Sequence, residues 1–198
     1  NWFPVLPHED WKIWIDQIQL TKHVERNIRE SISEHTMKYY WNKKGKITIS
    51  QFHNVGWNAI DKAMDSIPTG RKHWLAKHAS GICGVNYIRH KWRERDNPDC
   101  PRCGLPETAK HVWQCQHLET QEIWNKAISE LLIFLKKIKT DPVISEQICF
   151  GLKSWYIGDN LRNTDPRPLI IAQCNLGWDA FIEGIVSIEW GQHQHAYY

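Results

Sequence analysis

The chain has 198 residues, of which 41% are hydrophobic and 24% charged, and it carries a net charge of +3. This composition is that of an ordinary globular protein, and the sequence contains neither an internal repeat nor a low-complexity tract. No run approaches the roughly 20 apolar residues of a membrane-spanning helix, and no secretory signal opens the sequence. We therefore expect no membrane segment.

The first third of the chain is predicted to be helical. Apolar residues at three- and four-residue steps indicate an amphipathic helix from about Glu9 toward Tyr40. Ser50 can cap a second helix. The run 46–49 is the one strand-like signal in the sequence, which is too little for a sheet. Residues 1–68 are therefore interpreted as an N-terminal helical segment.

The middle of the chain, residues 69–139, is predicted to be a basic zinc-knuckle module with the helix that follows it. A short helix through Trp74 should stop near Gly81, because glycine readily adopts the left-handed conformation at a helix end. The clearest helical stripe of the sequence runs over residues 118–138. This middle part carries thirteen Lys and Arg against seven Asp and Glu, a net charge of +6, whereas the remainder carries −3.

The last part, residues 140–198, is predicted to be a C-terminal helical segment. Pro142 suits the first turn of a helix, where its missing amide hydrogen costs little. The helical pattern resumes at Leu169, but Gly177 and Gly184 weaken it and predict a bend or break. The expected fold class is thus mainly α, with an embedded Cys3His zinc knuckle.

Four potential metal ligands fall within sixteen positions, in the spacing C-x2-C-x7-H-x3-C. Two residues between Cys100 and Cys103 allow a tight turn to direct both sulfurs at one point, and Gly104 lets the backbone fold back beneath them. His111 and Cys115 are four apart, so on a helix they project from one face. Three thiolates and one imidazole fill all four positions of a tetrahedral zinc ion. The sequence therefore predicts one structural Zn²⁺.

An alternative interpretation treats these residues as ordinary buried thiols and a surface histidine. The agreement of all four spacings with a zinc site disfavours it. Cys83, Cys149 and Cys174 lack partners at ligand spacing, and we expect them to behave as small buried hydrophobic residues. Sparse cysteines with a metal-type cluster favour a reducing compartment.

Residues 100–115, CPRCGLPETAKHVWQC, resemble the zinc-binding region associated with reverse transcriptases of non-LTR retrotransposon-type reading frames. Residues 69–77, residues 176–184 and Trp190 resemble segments that flank this region in retroelement-like frames. The resemblance covers residues 69–198. It implies a domain beyond the polymerase that helps to hold the element's RNA or target DNA.

Catalysis is not expected of this chain. A polymerase needs paired aspartates for two metal ions, and the sequence contains no Asp-Asp dipeptide. The acidic and lysine pattern of the nuclease that follows the zinc region in some relatives is absent downstream of Cys115. Scattered histidines and carboxylates leave open a weaker possibility of an enzyme that sequence alone does not reveal.

Cationic residues beside the predicted zinc site are candidates for binding nucleic acid. Several of them can reach phosphates, while Trp92 can stack on an unpaired base. The alternative is that the basic residues form a solvated helix face and the tryptophans belong to the core. The predicted contact residues are Arg71, Lys72, Arg89, Lys91, Trp92, Arg93, Arg95 and Arg102.

The sequence therefore favours a non-catalytic, zinc-binding accessory domain that binds RNA or DNA. The alternative is a structural or protein-interaction scaffold derived from such an element, with no affinity for nucleic acid. Its partners would then be another protein or the polymerase part of a longer chain. The chain begins with Asn1 rather than Met, which is typical of a processed product or a fragment. We expect an intracellular location, nuclear if the retroelement resemblance holds.

Overall fold

The structure is a computed structural model that describes residues 12–15, 17–159, 161 and 165–198. It is mainly helical, as predicted, and the described part contains one sheet of two strands. Its internal contacts divide the chain into two compact units, Asn1–Ile49 and Ser50–Tyr198. The boundaries predicted after residues 68 and 139 stay predictions.

The first unit contains a β-hairpin. Strand β1, Ile13–Ile15, pairs in antiparallel register with strand β2, Ile18–Leu20. Gln17, in the turn between them, has a φ of 67°. The prediction of one helix from Glu9 is wrong over these strands, and Glu9 itself lies outside the described residues. β-branched isoleucines at alternating positions favour cross-strand pairing, which overrides the three- and four-residue spacing.

Helix α1 of the first unit spans Val24–Lys43, so the predicted helix exists but begins later than expected. The chain then turns at Gly45, whose φ of 66° lies in the left-handed region that glycine adopts without steric cost. The strand-like run 46–49 is not a strand. It leads into a 3₁₀ turn, Ile49–Asn54, and the helix predicted to be capped by Ser50 begins later, at Trp57.

The second unit continues with helices α2, Trp57–Ser66, and α3, Thr69–Ala79, the latter ending near Gly81 as predicted. The remaining helices are α4 (Asn86–Lys91), α5 (Ala109–Gln114), α6 (Leu118–Lys137), α7 (Pro142–Tyr156), α8 (Pro168–Leu176), α9 (Trp178–Ile182) and α10 (Ile188–Tyr197). None of the helices in the described part of the chain combines the length and the apolar character needed to cross a membrane.

Several helices of the second unit begin or end at the proline and glycine residues predicted to bound them. Pro142 occupies the first turn of α7, and the Asp141 side chain caps this helix by accepting a hydrogen bond of 2.7 Å from the Val143 amide. Gly177 and Gly184 have φ values of 97° and 88°, and the predicted breaks occur at them. The long stripe over residues 118–138 forms α6, as expected.

The core of the second unit lies among helices α6 to α10. α6 packs along α7, and aromatic and branched side chains fill the space between the helices. Ile170 on α8 is fully buried. The core residues are Trp124, Ile128, Ile144, Cys149, Leu152, Trp155, Tyr156, Leu161, Leu169, Ile170, Trp178 and Trp190. Burial of these large side chains is the main stabilising contribution to this unit.

One buried amide joins the three C-terminal helices. Gln173 has no exposed surface, yet its Nε2 donates to the Gly177 and Ile185 carbonyl oxygens at 3.1 and 3.2 Å. Its Oε1 accepts from the Ser187 amide at 3.0 Å and from Trp190 Nε1 at 3.2 Å. Because every polar atom of this amide is satisfied, it fixes the breaks between α8, α9 and α10 without the cost of an unpaired buried group.

We predict that Gly151→Ala destabilises the protein by about 1 to 3 kcal/mol, because a Cβ at this position of α7 would overlap the Trp178 indole. Gly191→Ala in α10 is the matched control, since a Cβ there meets nothing within 4 Å. Helix propensity alone should leave this control neutral or up to about 1 kcal/mol more stable. Urea unfolding followed by circular dichroism measures both changes, and equal effects would contradict the packing described here.

Candidate metal centre

The four predicted ligands converge in the structure. One potential ligand atom from each of Cys100, Cys103, His111 and Cys115 lies within 4.8 Å of all the others. Cys103 Sγ lies 3.2 Å from His111 Nε2. Metal–sulfur bonds of about 2.3 Å in a tetrahedron place the sulfurs roughly 3.8 Å apart. Small side-chain rotations therefore suffice for the group to hold one metal ion.

The first two ligands lie on a tight backbone turn. The Cys100 amide donates to the Leu105 carbonyl at 2.7 Å, and the Gly104 amide donates to the Cys100 carbonyl at 2.9 Å. Gly104 has a φ of 74°, so the conformation that the sequence required of this glycine is present. An antiparallel bridge between Asp99 and Pro106 closes the base of the turn. The backbone alone thus brings both sulfurs to one side.

Helix α5 supplies the other two ligands. Thr108 caps it, with Oγ1 accepting a hydrogen bond of 3.1 Å from the His111 amide. Cys115 follows the last helical residue, Gln114, in extended conformation. The cap fixes the first turn of α5, and the four-residue spacing then directs His111 and Cys115 toward the same point.

Hydrogen bonds attach the end of this segment to the helical core. Tyr156 Oη donates to the Cys115 carbonyl at 2.9 Å, and Gln114 Nε2 donates to the Trp155 carbonyl at 2.6 Å. Lys110 on α5 forms an ion pair with Asp179 of α9 at 3.0 Å, and the same carboxylate accepts from Trp155 Nε1 at 2.9 Å. The metal segment, residues 98–115, is therefore fixed to α7 and α9.

A series of aromatic contacts also connects the metal segment with the core. His78 of α3 stacks on Trp74 at a centroid distance of 5.2 Å and meets the edge of Trp113 at 5.8 Å. Trp113 lies 6.4 Å from Trp124, which in turn stacks on Tyr156 at 5.0 Å. Trp113 lies between His111 and Cys115 in the sequence, so packing of its ring constrains the backbone that carries both ligands.

Exposure differs among the four ligands. Cys100 and Cys115 are 6% and 2% exposed, His111 is half-buried, and Cys103 is exposed. The centre therefore lies at the surface, with Cys103 on its solvent side. The predictions that Cys83 and Cys149 are buried thiols are confirmed, while Cys174 is half-buried. Burial raises the pKa of the Cys149 thiol, as an inert structural cysteine requires.

Backbone amides favour the thiolate form at two of the sulfurs. Burial by itself raises the pKa of Cys100, but hydrogen bonds from the backbone of Cys103 and Arg102 outweigh it, and the pKa is lowered. Burial likewise acts to raise the pKa of Cys115, but the backbone of His117 and neighbouring side chains bring it below its ordinary value. Such amide–sulfur hydrogen bonds prepare both groups to bind a cation.

The third sulfur behaves in the opposite way. The Leu105 backbone lowers the pKa of Cys103. Burial and the thiols of Cys115 and Cys100 raise it by more, so that the net change in this pKa is upward. A metal ion held by all three sulfurs would require each of them as a thiolate and would supply the compensating positive charge.

The predicted cationic segment, residues 89–95, lies before the metal turn, residues 99–107, which carries Cys100 and Cys103. Arg89, Lys91, Trp92, Arg93 and Arg95 are all exposed on α4 and the turn after it, and Trp92 is 54% exposed. The core interpretation of this tryptophan is therefore wrong. The exposed ring is available to a planar partner.

Several of the predicted cations have partners within the protein. Arg89 pairs with Glu94 at 3.3 Å, and Lys91 Nζ lies 4.5 Å from the centroid of the Tyr87 ring. Arg102, in the metal turn, pairs with Glu119 at 3.5 Å.

Two further candidates lie elsewhere, on helix α3. Lys72 pairs with Asp65 at 3.7 Å, and Arg71 is exposed. The structure thus brings five of the eight candidates into one exposed segment and a sixth into the metal turn. Contact with nucleic acid stays a prediction for all eight.

Sequence reasoning did not identify two residues that organise this region. Asn86 is 6% exposed, and its backbone amide donates to Glu107 Oε1 at 2.9 Å. An asparagine at the start of a short helix and a glutamate just before the α5 cap carry no sequence signal of this contact.

No protein-family model matches the chain, and comparisons with curated proteins and with solved structures give no match either. The retroelement resemblance of residues 100–115 therefore stays a prediction.

We predict that Cys115→Ser abolishes stoichiometric metal binding, because it removes one of the four converging ligands. At a free metal concentration 1,000-fold above Kd, the wild type should gain about 4 kcal/mol of stability over the chelated protein, and the variant should gain almost none. Elemental analysis and thermal unfolding with and without chelator measure these quantities.

Cys174→Ser is the control for this change. It replaces a cysteine outside the metal cluster, so metal content should be unaffected. Equal metal content in Cys115→Ser and the wild type would contradict the assignment of the centre.

Proposed function

We propose that the Cys3His group holds one structural Zn²⁺, and that the chain is a non-catalytic accessory domain that binds RNA or DNA. The observation that supports this proposal is the convergence of four ligand atoms within 4.8 Å, next to an exposed cationic segment. The resemblance of residues 100–115 to a retroelement zinc region points in the same direction. The domain would then accompany a polymerase in a longer chain.

The donor set favours zinc over the other common divalent metals. Thiolates are soft ligands that select zinc, whereas Mg²⁺ and Ca²⁺ prefer oxygen ligands. Three sulfurs and one nitrogen match the Cys3His class of structural zinc knuckles. Because protein ligands occupy all four positions, no position is left for an activated water or a substrate. The metal would stabilise the fold rather than catalyse a reaction.

The charge and exposure of the cationic segment suit a polyanionic, unpaired strand. Arg93 and Lys91 can reach phosphates, and the exposed Trp92 ring can stack on a base. The ion pair of Arg89 with Glu94 is exposed and therefore worth little. A phosphate can replace the glutamate at small cost.

A second candidate function is a protein-interaction scaffold. The C-terminal end of α6 exposes Ile133, Phe134 and Ile138, which are 68%, 53% and 53% accessible. Exposed apolar groups of this size are typical of interaction surfaces. This alternative predicts self-association or a stable partner, detectable by size-exclusion chromatography with light scattering, and no affinity for oligonucleotides.

We predict that the metal-loaded protein binds a single-stranded oligonucleotide, with an affinity that falls as salt rises. Replacing Arg89, Lys91 and Arg93 together with Ala should weaken binding and reduce the slope of log K against log salt by about 2, since each lost phosphate contact accounts for roughly 0.7. Fluorescence anisotropy from 50 to 200 mM salt, roughly the range over which such contacts show clearly, measures both effects.

The control removes the same charge from α6, by replacing the exposed Lys126, Lys136 and Lys137 with Ala. This variant should keep the wild-type slope. No binding by the wild type at low salt, or equal losses in the two triple variants, would contradict the proposed function.

A further inference from the structure

Asn86, the first residue of α4, is bonded to three other segments of the chain. Its backbone amide donates to Glu107 Oε1 at 2.9 Å, and its Nδ2 donates to the Asp99 carbonyl at 2.9 Å. Its Oδ1 accepts a hydrogen bond from Arg95 Nη1. The residue is 6% exposed, so these contacts are largely shielded from water. Every polar group of the side chain is thereby engaged.

Two of these contacts lie on the two ends of the metal turn. Asp99 directly precedes the ligand Cys100, and Glu107 directly precedes the residue that caps α5. The next residue of α4 strengthens the attachment, because the Tyr87 amide donates to the Glu107 carbonyl at 3.1 Å. The start of α4 is therefore bonded to both ends of the loop that carries Cys100 and Cys103.

The third contact lies on the cationic segment, residues 89–95, whose backbone forms the cationic turn. His90 Nδ1 lies 3.0 Å from the Arg95 carbonyl, and the Glu94 amide donates to the Arg89 carbonyl at 2.9 Å. Arg93 has a φ of 61°, which is unfavourable for a non-glycine residue and requires a turn that is held from outside. The bond of Arg95 to Asn86 provides such a constraint.

We infer that Asn86 couples metal occupancy to the conformation of the cationic turn, so that binding of single-stranded nucleic acid depends on the metal. This inference rests on the proposed function, because it concerns the control of that binding surface. Without metal, the turn that carries Cys100 and Cys103 loses its link through the ligands to His111 and Cys115, and the Asp99–Pro106 bridge is left to hold the base of the turn. Asn86 then loses fixed positions for two of its contacts, and the cationic turn has to be ordered when the strand binds.

The coupling is reciprocal. If metal strengthens oligonucleotide binding by some factor, the oligonucleotide strengthens metal binding by the same factor. A typical coupling of 5- to 150-fold leads us to expect a change of about tenfold. Asn86 touches neither the metal nor the strand in this account, so it acts as a positioning residue.

The test measures the Kd of a fluorescein-labelled oligothymidylate by anisotropy, for the wild type and Asn86→Ala, with zinc and after chelation. In the wild type, chelation should weaken binding about tenfold. In Asn86→Ala, binding should be weak even with zinc, and chelation should change it little. Asn58→Ala, at an exposed position of α2, is the matched control and should behave as the wild type.

A second measurement uses the unmodified protein, in case Asn86→Ala does not fold. Hydrogen exchange at the Asn86 and Tyr87 amides, which both bond to Glu107, should slow when zinc is added. Slower exchange at both amides supports the coupling. Unchanged exchange overturns it.

The outcomes separate this inference from the proposed function. Strong oligonucleotide binding that is the same with and without zinc, and the same in Asn86→Ala, overturns the coupling and leaves the nucleic-acid function intact. No binding by the zinc-loaded wild type at low salt overturns both. Metal-dependent binding that Asn86→Ala retains in full also overturns the role of Asn86.

Discussion

Convergence of three cysteine sulfurs and one imidazole nitrogen on one point is the constraint on which the metal segment depends. Residues 98–115 contain one tight turn and one helix of six residues, Ala109–Gln114. Backbone hydrogen bonds act to lower the pKa of Cys100 and Cys115, whereas at Cys103 the effect of the Leu105 backbone is outweighed by burial and the neighbouring thiols, so that its pKa is raised. A divalent cation bound by this group would balance the charge of the thiolates and would join the two halves of the segment.

The helical core determines where this segment lies. Tyr156 and Trp155 on α7 bond to its last residues, and Trp113 packs against Trp124 on α6. Asn86 joins it to the cationic turn, through bonds to Glu107 and Asp99 and a bond from Arg95. The metal segment thus connects a rigid apolar body with an exposed positive surface. In our proposal the metal would fix the geometry of this surface. Arginine and lysine side chains would contact phosphates, and the tryptophan ring would stack on a base.

Local signals predicted much of the fold and of the site. The stripe that became α6, the helix start at Pro142 and the break at Gly177 each follow from a single backbone or packing preference. The four ligands were predictable because metal geometry imposes short, fixed spacings. The hairpin formed by Ile13–Ile15 and Ile18–Leu20 was missed, since its isoleucines fit both a helical and an alternating pattern.

Long-range polar contacts were beyond sequence reasoning. Gln173 is fully buried because carbonyl and amide groups of three helical segments meet around it, and nothing in its neighbours along the chain indicates this. Asn86 is a similar case: its partners Asp99 and Glu107 lie 13 and 21 residues away. Such contacts depend on tertiary packing, which pattern and propensity do not encode.

X-ray absorption spectroscopy of the zinc-loaded protein reports the atoms bound to the metal. We expect one zinc ion with three sulfurs at about 2.3 Å and one nitrogen at about 2.0 to 2.1 Å. A first shell dominated by oxygen, or one with fewer than three sulfurs, would contradict the assignment of Cys100, Cys103, His111 and Cys115 as a closed structural site.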